Sequence, residues 1–273
     1  MREILRHPTG LAGALMLSLV LTAALVGSLI APYDPQLFHP IARLQGPSTT
    51  HWLGTDQFGR DILSRILNGA WATVSFGVTA TVLGVAAGAA VGMTAGLIGG
   101  AVDNVIMRIV DGVLAVPDLL FTLLIVTVLG GGTGHAMLAV AVAFTPGMAR
   151  IARSAVLSVR TREYVQAAVA RGESTGYVLV REVLPNAMGP LIVEATIRVS
   201  FAIMLGATLG FLGLGAQPPS TEWGLMIAEA RQFMFRNPWA VIAPGAAIAV
   251  AAMGFNLFGD ALRDVMDPRG RRR

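Results

Sequence analysis

Long apolar runs separated by short polar stretches dominate this chain. Six runs are long enough for a helix to cross a hydrocarbon core, which needs about 20 residues. They lie near residues 11–31, 72–98, 112–130, 135–156, 187–212 and 238–260. The first run follows Arg2 and Arg6 as in a signal peptide, but it is longer than a signal h-region and no small-x-small cleavage site follows it. The pattern predicts six spanning helices, the first of them a retained anchor.

Composition supports a membrane protein and excludes several kinds of chemistry. Hydrophobic residues make up 54% of the 273 residues, charged residues 13%, and the mean hydropathy is +0.67. There is no cysteine, and the four histidines are too far apart in sequence for a local ligand motif. We therefore expect no metal site. In a membrane protein, a net charge of +4 indicates basic residues gathered at the cytoplasmic face rather than a nucleic-acid partner.

The distribution of arginine predicts the orientation of the spans. With the N-terminus inside, the inner segments contain 14 arginines and the outer loops contain five. The tryptophans then lie on or near the outer side, where amphipathic rings are favoured: Trp52, Trp71, Trp223 and Trp239. The sequence predicts that both termini, and the polar stretch after the fourth span, are cytoplasmic.

That polar stretch reads "REYVQAAVARGESTGYVLVREVLPN" and covers residues 162–186. Residues 172–176 match the G-x-S-x-G pattern of a hydrolase elbow, with Ser174 as the nucleophile. An elbow needs a preceding strand and a histidine base, whereas helix formers precede Ser174 and only His7 is expected on this side. We interpret Gly172 as a helix end and Gly176 as part of a turn. A membrane hydrolase stays a minor alternative.

Several motifs along the chain resemble one family of transport proteins. Gln166-Ala167-Ala168, Gly172 and Leu184-Pro185 resemble the EAA loop of ABC-importer permeases. Further stretches resemble the second permease subunit of dipeptide and oligopeptide importers: "LGTDQFGRDILSRIL" (53–67), "VDNVIMRIVDGVLAVP" (102–117), "REVLPNAMGPLIVEATI" (181–197), "FLGLGAQPPSTEWGLMIAEAR" (211–231) and "FNLFGDALRDVMDPR" (255–269). Two features depart from the family: Gln166 stands where Glu is usual, and Glu194 and Arg198 add two charges to the fifth span.

The resemblance implies an all-α polytopic protein with the six-span type I ABC importer permease fold. Residues 1–71 would form an anchor helix and an outer loop with a short amphipathic helix capped by Asp61, and residues 72–273 the permease core with its coupling loop at 162–185. The chain would move dipeptides or oligopeptides inward and would not be an enzyme. It lacks a G-x-x-x-x-G-K-[ST] loop, so ATP and Mg²⁺ would be bound by partner subunits and no cofactor by this chain.

The implied partners are a second, homologous permease, two ATP-binding subunits and an extracytoplasmic peptide-binding protein. The implied location is the inner membrane of a bacterium. The same motifs also occur in importers of nickel chelates and glutathione, which remain alternatives. A self-contained secondary transporter is an alternative from another class, but the sequence shows neither clear internal repeats nor a midplane relay of charges.

The coupling loop provides the first group of candidate site residues. By resemblance, they are Tyr164, Gln166, Ala167, Ala168, Arg171, Gly172, Leu184 and Pro185. A short helix over Tyr164–Arg171 would present its small alanines to an ATPase groove. A second helical piece with Tyr177, Val178, Val180 and Val183 would lie against the bundle, and Pro185 would suit the first turn of the fifth span.

Two further groups lie within the spans. Gly84, Gly88, Gly92, Gly96 and Gly100 recur every four residues, a small-xxx-small register that favours close helix packing. Glu194 and Arg198 are spaced i and i+4, so they can form an intrahelical pair. That pair is either structural or part of the substrate pathway.

Overall fold

The computed structural model describes residues 7–266, which are almost entirely helical and contain no β-strand. The helices of this region are α1 (Pro8–Ile30), α2 (Ile62–Ile98), α3 (Gly100–Leu114), α4 (Asp118–Leu129), α5 (Thr133–Arg160), α6 (Glu163–Ala170), α7 (Thr175–Tyr177), α8 (Leu184–Phe211), α9 (Trp223–Ala230) and α10 (Trp239–Met266). A π-helical turn, Val178–Val183, joins α7 to α8. Arg2, Arg6 and the arginines from 269 to 273 lie outside the described residues.

Five helical segments of the described region are each long and apolar enough to cross a bilayer: α1, α2, α5, the continuous stretch Thr175–Phe211, and α10. The predicted span at 112–130 differs in form. It covers only the end of α3 and all of α4, and these two helices meet at a 90° bend. Pro117 lies at this bend, and proline cannot continue a helix because it lacks an N–H and its ring clashes with the preceding turn. Counting the bent pair as one span gives the predicted six.

Helix α2 is 37 residues long and begins well before the predicted span. The Oδ2 of Asp61 accepts hydrogen bonds at 2.8 Å from the backbone N–H and the hydroxyl of Ser64, so Asp61 is the N-cap. The prediction of a separate amphipathic helix lying on the bilayer is therefore wrong. Ile62 is buried against the bundle, and α2 crosses the predicted boundary between residues 71 and 72 without interruption.

The bundle is built around α2. Helix α5 packs along α2, and α8 packs against α2, α5 and α10. Helix α1 covers the opposite side and contacts α2 and α10. The outward faces of α1 and α4 are apolar, as Leu15, Leu29 and Val128 illustrate, and such faces suit lipid. One face of α8 is left exposed, as Phe201 and Met204 show.

Candidate functional site

Helix α6 is the short helix of the polar loop, and it lies one residue earlier than predicted. Its C-cap is Arg171, and the next residue, Gly172, takes φ +82°, a left-handed conformation that favours glycine. The N–H of Glu173 bonds to the carbonyl of Ala168 at 3.3 Å, and that of Gly172 to the carbonyl of Val169 at 3.0 Å. These two bonds form a Schellman motif, in which the last carbonyls of a helix are satisfied by the chain that leaves it.

The two faces of α6 have different surroundings. Val165 and Ala168 are buried and belong to an apolar cluster that includes Met93, Val156 and Val183. The prediction that Ala168 faces a partner is therefore wrong, since its relative exposure is 0%. Positions i, i+3 and i+7 share a helix face. Accordingly, Tyr164, Ala167 and Arg171 are all exposed, as is Gln166.

Ser174 serves as a helix cap. Its hydroxyl accepts a hydrogen bond from the backbone N–H of Tyr177 at 3.3 Å, at the start of α7. Gly176 lies inside α7 and its φ is not positive, so its predicted role in a turn is wrong. The hydroxyl therefore has a local structural role that explains its position without catalysis.

The chain continues from α7 into α8 without a break. Val178 and Val183 are buried, whereas Tyr177 and Val180 are exposed, so only part of the predicted second piece lies against the bundle. Pro185 is in the first turn of α8, where its missing N–H is not needed. Leu184 packs beside the same apolar cluster that holds Ala168.

Four of the five predicted glycines lie in α2 against α5. The prediction for Gly100 is wrong, because Gly100 begins α3 and has open space around its Cβ position. A Cβ on Gly84 would lie 2.8 Å from the carbonyl oxygen of Ala141, and one on Gly88 would lie 2.5 Å from the Cβ of Met148. A Cβ on Gly92 would overlap the backbone carbonyl of Ala149. At Gly96 the nearest atoms belong to Val156, at 3.1 Å. The helix that these glycines contact is therefore in this chain.

Glu194 is the centre of a small charged cluster, the Glu194 cluster, which also contains Arg198 and Arg263. Its Oε1 lies 3.2 Å from the Nε of Arg198 and its Oε2 lies 3.7 Å from the Nη2 of Arg263 on α10. The guanidinium of Arg198 also lies over the ring of Phe144, 5.0 Å from the centroid. The predicted pair is thus part of a cluster that joins α5, α8 and α10.

Sequence reasoning missed a buried ion network at the start of α2. The Oδ2 of Asp56 lies 2.6 Å from both the Nε of Arg60 and the Nη1 of Arg65. The Oε2 of Glu229, on α9, lies 2.9 Å from Arg60 and 3.1 Å from Arg65. The only local signal was the i, i+4 spacing of Asp56 and Arg60, because Glu229 is more than 160 residues away. Within residues 7–266, no group of His, Cys, Asp and Glu could hold a metal.

The structure is a helical bundle in which a short helix-turn-helix loop leads into a long span. A solved structure of the methionine ABC transporter MetNI, in an inward-facing conformation, matches it with a TM-score of 0.61 at 18% identity. That match covers 74% of this chain and 96% of the other. It confirms the predicted all-α type I permease fold.

The family model for binding-protein-dependent transport system inner membrane components matches residues 88–272. The model for the N-terminal transmembrane domain of oligopeptide transport permease C matches residues 1–47. The chain belongs to this family of inner membrane transport components. It is a multi-pass membrane protein and an ABC importer permease subunit, as the resemblance implied.

Three relatives match over nearly the full length of this chain. The dipeptide transport system permease protein DppC of Alkalihalophilus pseudofirmus is 39% identical, over 98% of this chain and 88% of its own. The di/tripeptide permease DppC of Pseudomonas aeruginosa is 40% identical, over 95% and 88%. The glutathione permease GsiD of Shigella flexneri is 42% identical, over 98% and 89%.

Proposed function

We propose that this permease subunit imports dipeptides or other short peptides. The observation that carries the proposal is the identity of about 40% to dipeptide and di/tripeptide permeases over at least 95% of the chain. Glutathione, itself a small peptide, is the second candidate, because GsiD proteins match at 39–42%. No covalent chemistry is required of this chain for either substrate.

The proposed machine contains four partner chains of three kinds. A second, homologous permease would complete the pathway, two ATPase subunits would bind ATP and Mg²⁺, and an extracytoplasmic binding protein would deliver the peptide. Both termini of this chain would then be cytoplasmic, and the coupling loop would face the ATPases. The chain itself would bind no cofactor.

The docking face would be the exposed side of α6. Tyr164 and Arg171 flank Ala167 on this face, and the small side chain of Ala167 permits close approach to a groove. Gln166 is also exposed, at a position where a carboxylate is usual in the family. Gly172, Leu184 and Pro185 would hold α6 in place, through the helix end and the continuous connection to α8. Ala168 would pack against the bundle of this chain and would not contact an ATPase.

The test compares two adjacent alanines in the reconstituted importer. Ala167→Glu should abolish peptide uptake and the stimulation of ATP hydrolysis by loaded binding protein, because a bulky charge blocks a close interface. The chain should still assemble with its partners. Ala168→Glu should instead reduce the yield of folded chain, because its charge would be buried without a partner.

Ser174→Ala is the control for the hydrolase alternative. It removes one capping hydroxyl and should lower helix stability by about 0.5–2 kcal/mol, with little change in uptake. Loss of uptake in Ser174→Ala together with normal uptake in Ala167→Glu would refute the docking role of α6. Absence of ATP-dependent peptide uptake by the unaltered importer, with either a dipeptide or glutathione, would refute the proposed substrate class.

A further inference from the structure

A cavity of about 410 Å³ lies at the end of α8 nearest the coupling loop. Its walls come from three helices: Ile151 of α5; Pro190, Val193 and Glu194 of α8; and Arg263 and Met266 of α10. The lining is mostly apolar, with one carboxylate and one guanidinium. Sites for small molecules commonly combine an apolar lining with a few polar groups that fix orientation.

The Glu194 cluster contains more positive than negative groups. Two guanidinium groups, those of Arg198 and Arg263, contact the single carboxylate of Glu194. Arg198 is fixed by its packing against α5. Its side chain is 18% exposed and lies over Phe144. Gly147 leaves room for it, since a Cβ there would come within 2.5 Å of the Nη2 of Arg198. Glu194 therefore already has one fixed cation partner on the side of α5.

Arg263 is held more loosely. Its side chain is 55% exposed, and its distance of 3.7 Å from Glu194 is too long for a hydrogen bond. A guanidinium offers five N–H donors in a fork that matches a carboxylate. Since Arg198 partly neutralises Glu194, Arg263 can turn to a second carboxylate without leaving Glu194 unpaired.

The exposed face of α8 continues from this cavity along the helix. Phe201 follows Glu194 by seven residues, on the same helix face, and both Phe201 and the nearby Met204 are exposed. Ionisable side chains in membrane spans usually face a bundle interior or a water-filled cavity. A face that carries Glu194 therefore suits a polar passage better than lipid.

We propose that Arg263 and Glu194 form a binding site for a zwitterionic peptide in transit, at the coupling-loop end of the passage. Arg263 would bind the peptide's terminal carboxylate, and Glu194 its terminal ammonium group. The proposal rests on the proposed peptide substrate. An anionic lipid headgroup fits less well, because the Glu194 carboxylate in the wall repels a phosphate.

The test measures uptake of radiolabelled alanyl-alanine by vesicles containing the complete importer and its binding protein. Arg263→Gln should lower uptake about tenfold, since a hydrogen bond to a charged group contributes about that factor. Stimulation of ATP hydrolysis by loaded binding protein should persist. Arg263→Lys, which keeps the charge, should recover most of the uptake. Arg150→Gln removes the guanidinium of an exposed pair on α5 and should keep uptake within about twofold.

The recovery of assembled importer separates transport from structure. If the Glu194–Arg263 contact only supports the fold, Arg263→Gln should lower the recovery of assembled complex together with uptake. If Arg263 binds peptide, Arg263→Gln should assemble like the unaltered chain and lose only uptake. Reduced assembly of Arg263→Gln, or an equal loss of uptake in Arg263→Lys, would overturn the proposal.

Two further outcomes have distinct meanings. If removing phosphatidylglycerol from the vesicles lowers uptake in the unaltered importer but not in Arg263→Gln, the cavity binds a lipid headgroup and the proposal is wrong. If the unaltered importer takes up no peptide at all, the proposed substrate class fails, and this inference fails with it. A defect confined to the Arg263 variants leaves the substrate class intact.

Discussion

At the scale of single residues, Glu222 shows how burial changes a carboxyl group. It lies at the start of α9, and its side-chain oxygens accept hydrogen bonds from the backbone N–H groups of Gly224 and Leu225, both at 2.9 Å. Burial raises the pKa of Glu222 above its ordinary value of 4.5, although these two hydrogen bonds act in the opposite direction. Gly210 allows this position, because a Cβ there would overlap the carboxylate.

The raised pKa predicts a pH-dependent stability. The folded chain binds the Glu222 proton more tightly than the unfolded chain, so the free energy of unfolding falls as pH rises from 4.5 through the folded-state pKa. Glu222→Gln should lose this dependence, since the amide does not titrate. Thermal unfolding of the purified importer at about pH 5 and about pH 8 would measure the difference. Asp34→Asn, at an exposed position, is the control, and an unchanged pH dependence in Glu222→Gln would contradict the prediction.

At the scale of helices, the contact between α2 and α5 depends on the absence of side chains at four positions. Small residues let two helix backbones approach closely, so that van der Waals contact can hold them in a membrane. The contact is closest at Gly92, which lies against the backbone of Ala149. Backbone atoms cannot move aside as a flexible side chain can.

Gly92→Ala should therefore destabilise the chain by about 1–3 kcal/mol through overpacking. The matched control is Gly112→Ala, because Gly112 is also helical but has open space around its Cβ position. That change should be neutral or add up to about 1 kcal/mol, since alanine favours helix more than glycine does. The fraction of complex that remains monodisperse after heating would measure both, and equal loss in the two variants would argue against a packing role for Gly92.

The ion network at the start of α2 joins two further elements, the loop that precedes α2 and helix α9. Asp56→Asn would leave Arg60 and Arg65 with only Glu229 as a charged partner, and breaking a buried pair costs about 3–5 kcal/mol. Asp111→Asn breaks an exposed pair with Arg150 and should cost less than about 1 kcal/mol. The same heating assay compares the two. Similar stability of both variants would show that the Asp56 network contributes little.

At the scale of the whole molecule, the distribution of arginine predicts the orientation of the bundle, and the orientation can be measured directly. The chain has no cysteine, so single cysteines can be introduced without background labelling. A cysteine at the exposed Ser48 should react with an impermeant reagent added to intact cells. One at Ser174 should react only after the membrane is opened. Labelling of a cysteine at position 174 from outside would contradict the proposed topology, because α6 would then lie on the side of the membrane opposite the ATPases.

Local and compositional features were predictable from the sequence. The apolar runs identified the membrane class and most of the spans, because burial in lipid requires a continuous stretch of apolar residues. The end of α6 at Gly172 was also predictable, since a left-handed helix end requires a residue without a Cβ. The regular spacing of the α2 glycines likewise indicated a packing face, although it could not identify the neighbouring helix.

Only the tertiary structure decided the features that depend on distant residues. Ala167 and Ala168 are chemically identical neighbours, and only the packing of α6 shows that Ala168 is buried while Ala167 is exposed. The bend at Pro117 divides a run that composition alone presents as one straight span. Asp56 and Glu229 share Arg60 and Arg65 as partners only because the folded helices bring them together. Glu194 lies near Arg263 for the same reason. The physical reason is that hydropathy and helix propensity act between near neighbours in sequence, whereas burial and ion pairing depend on which surfaces meet after folding.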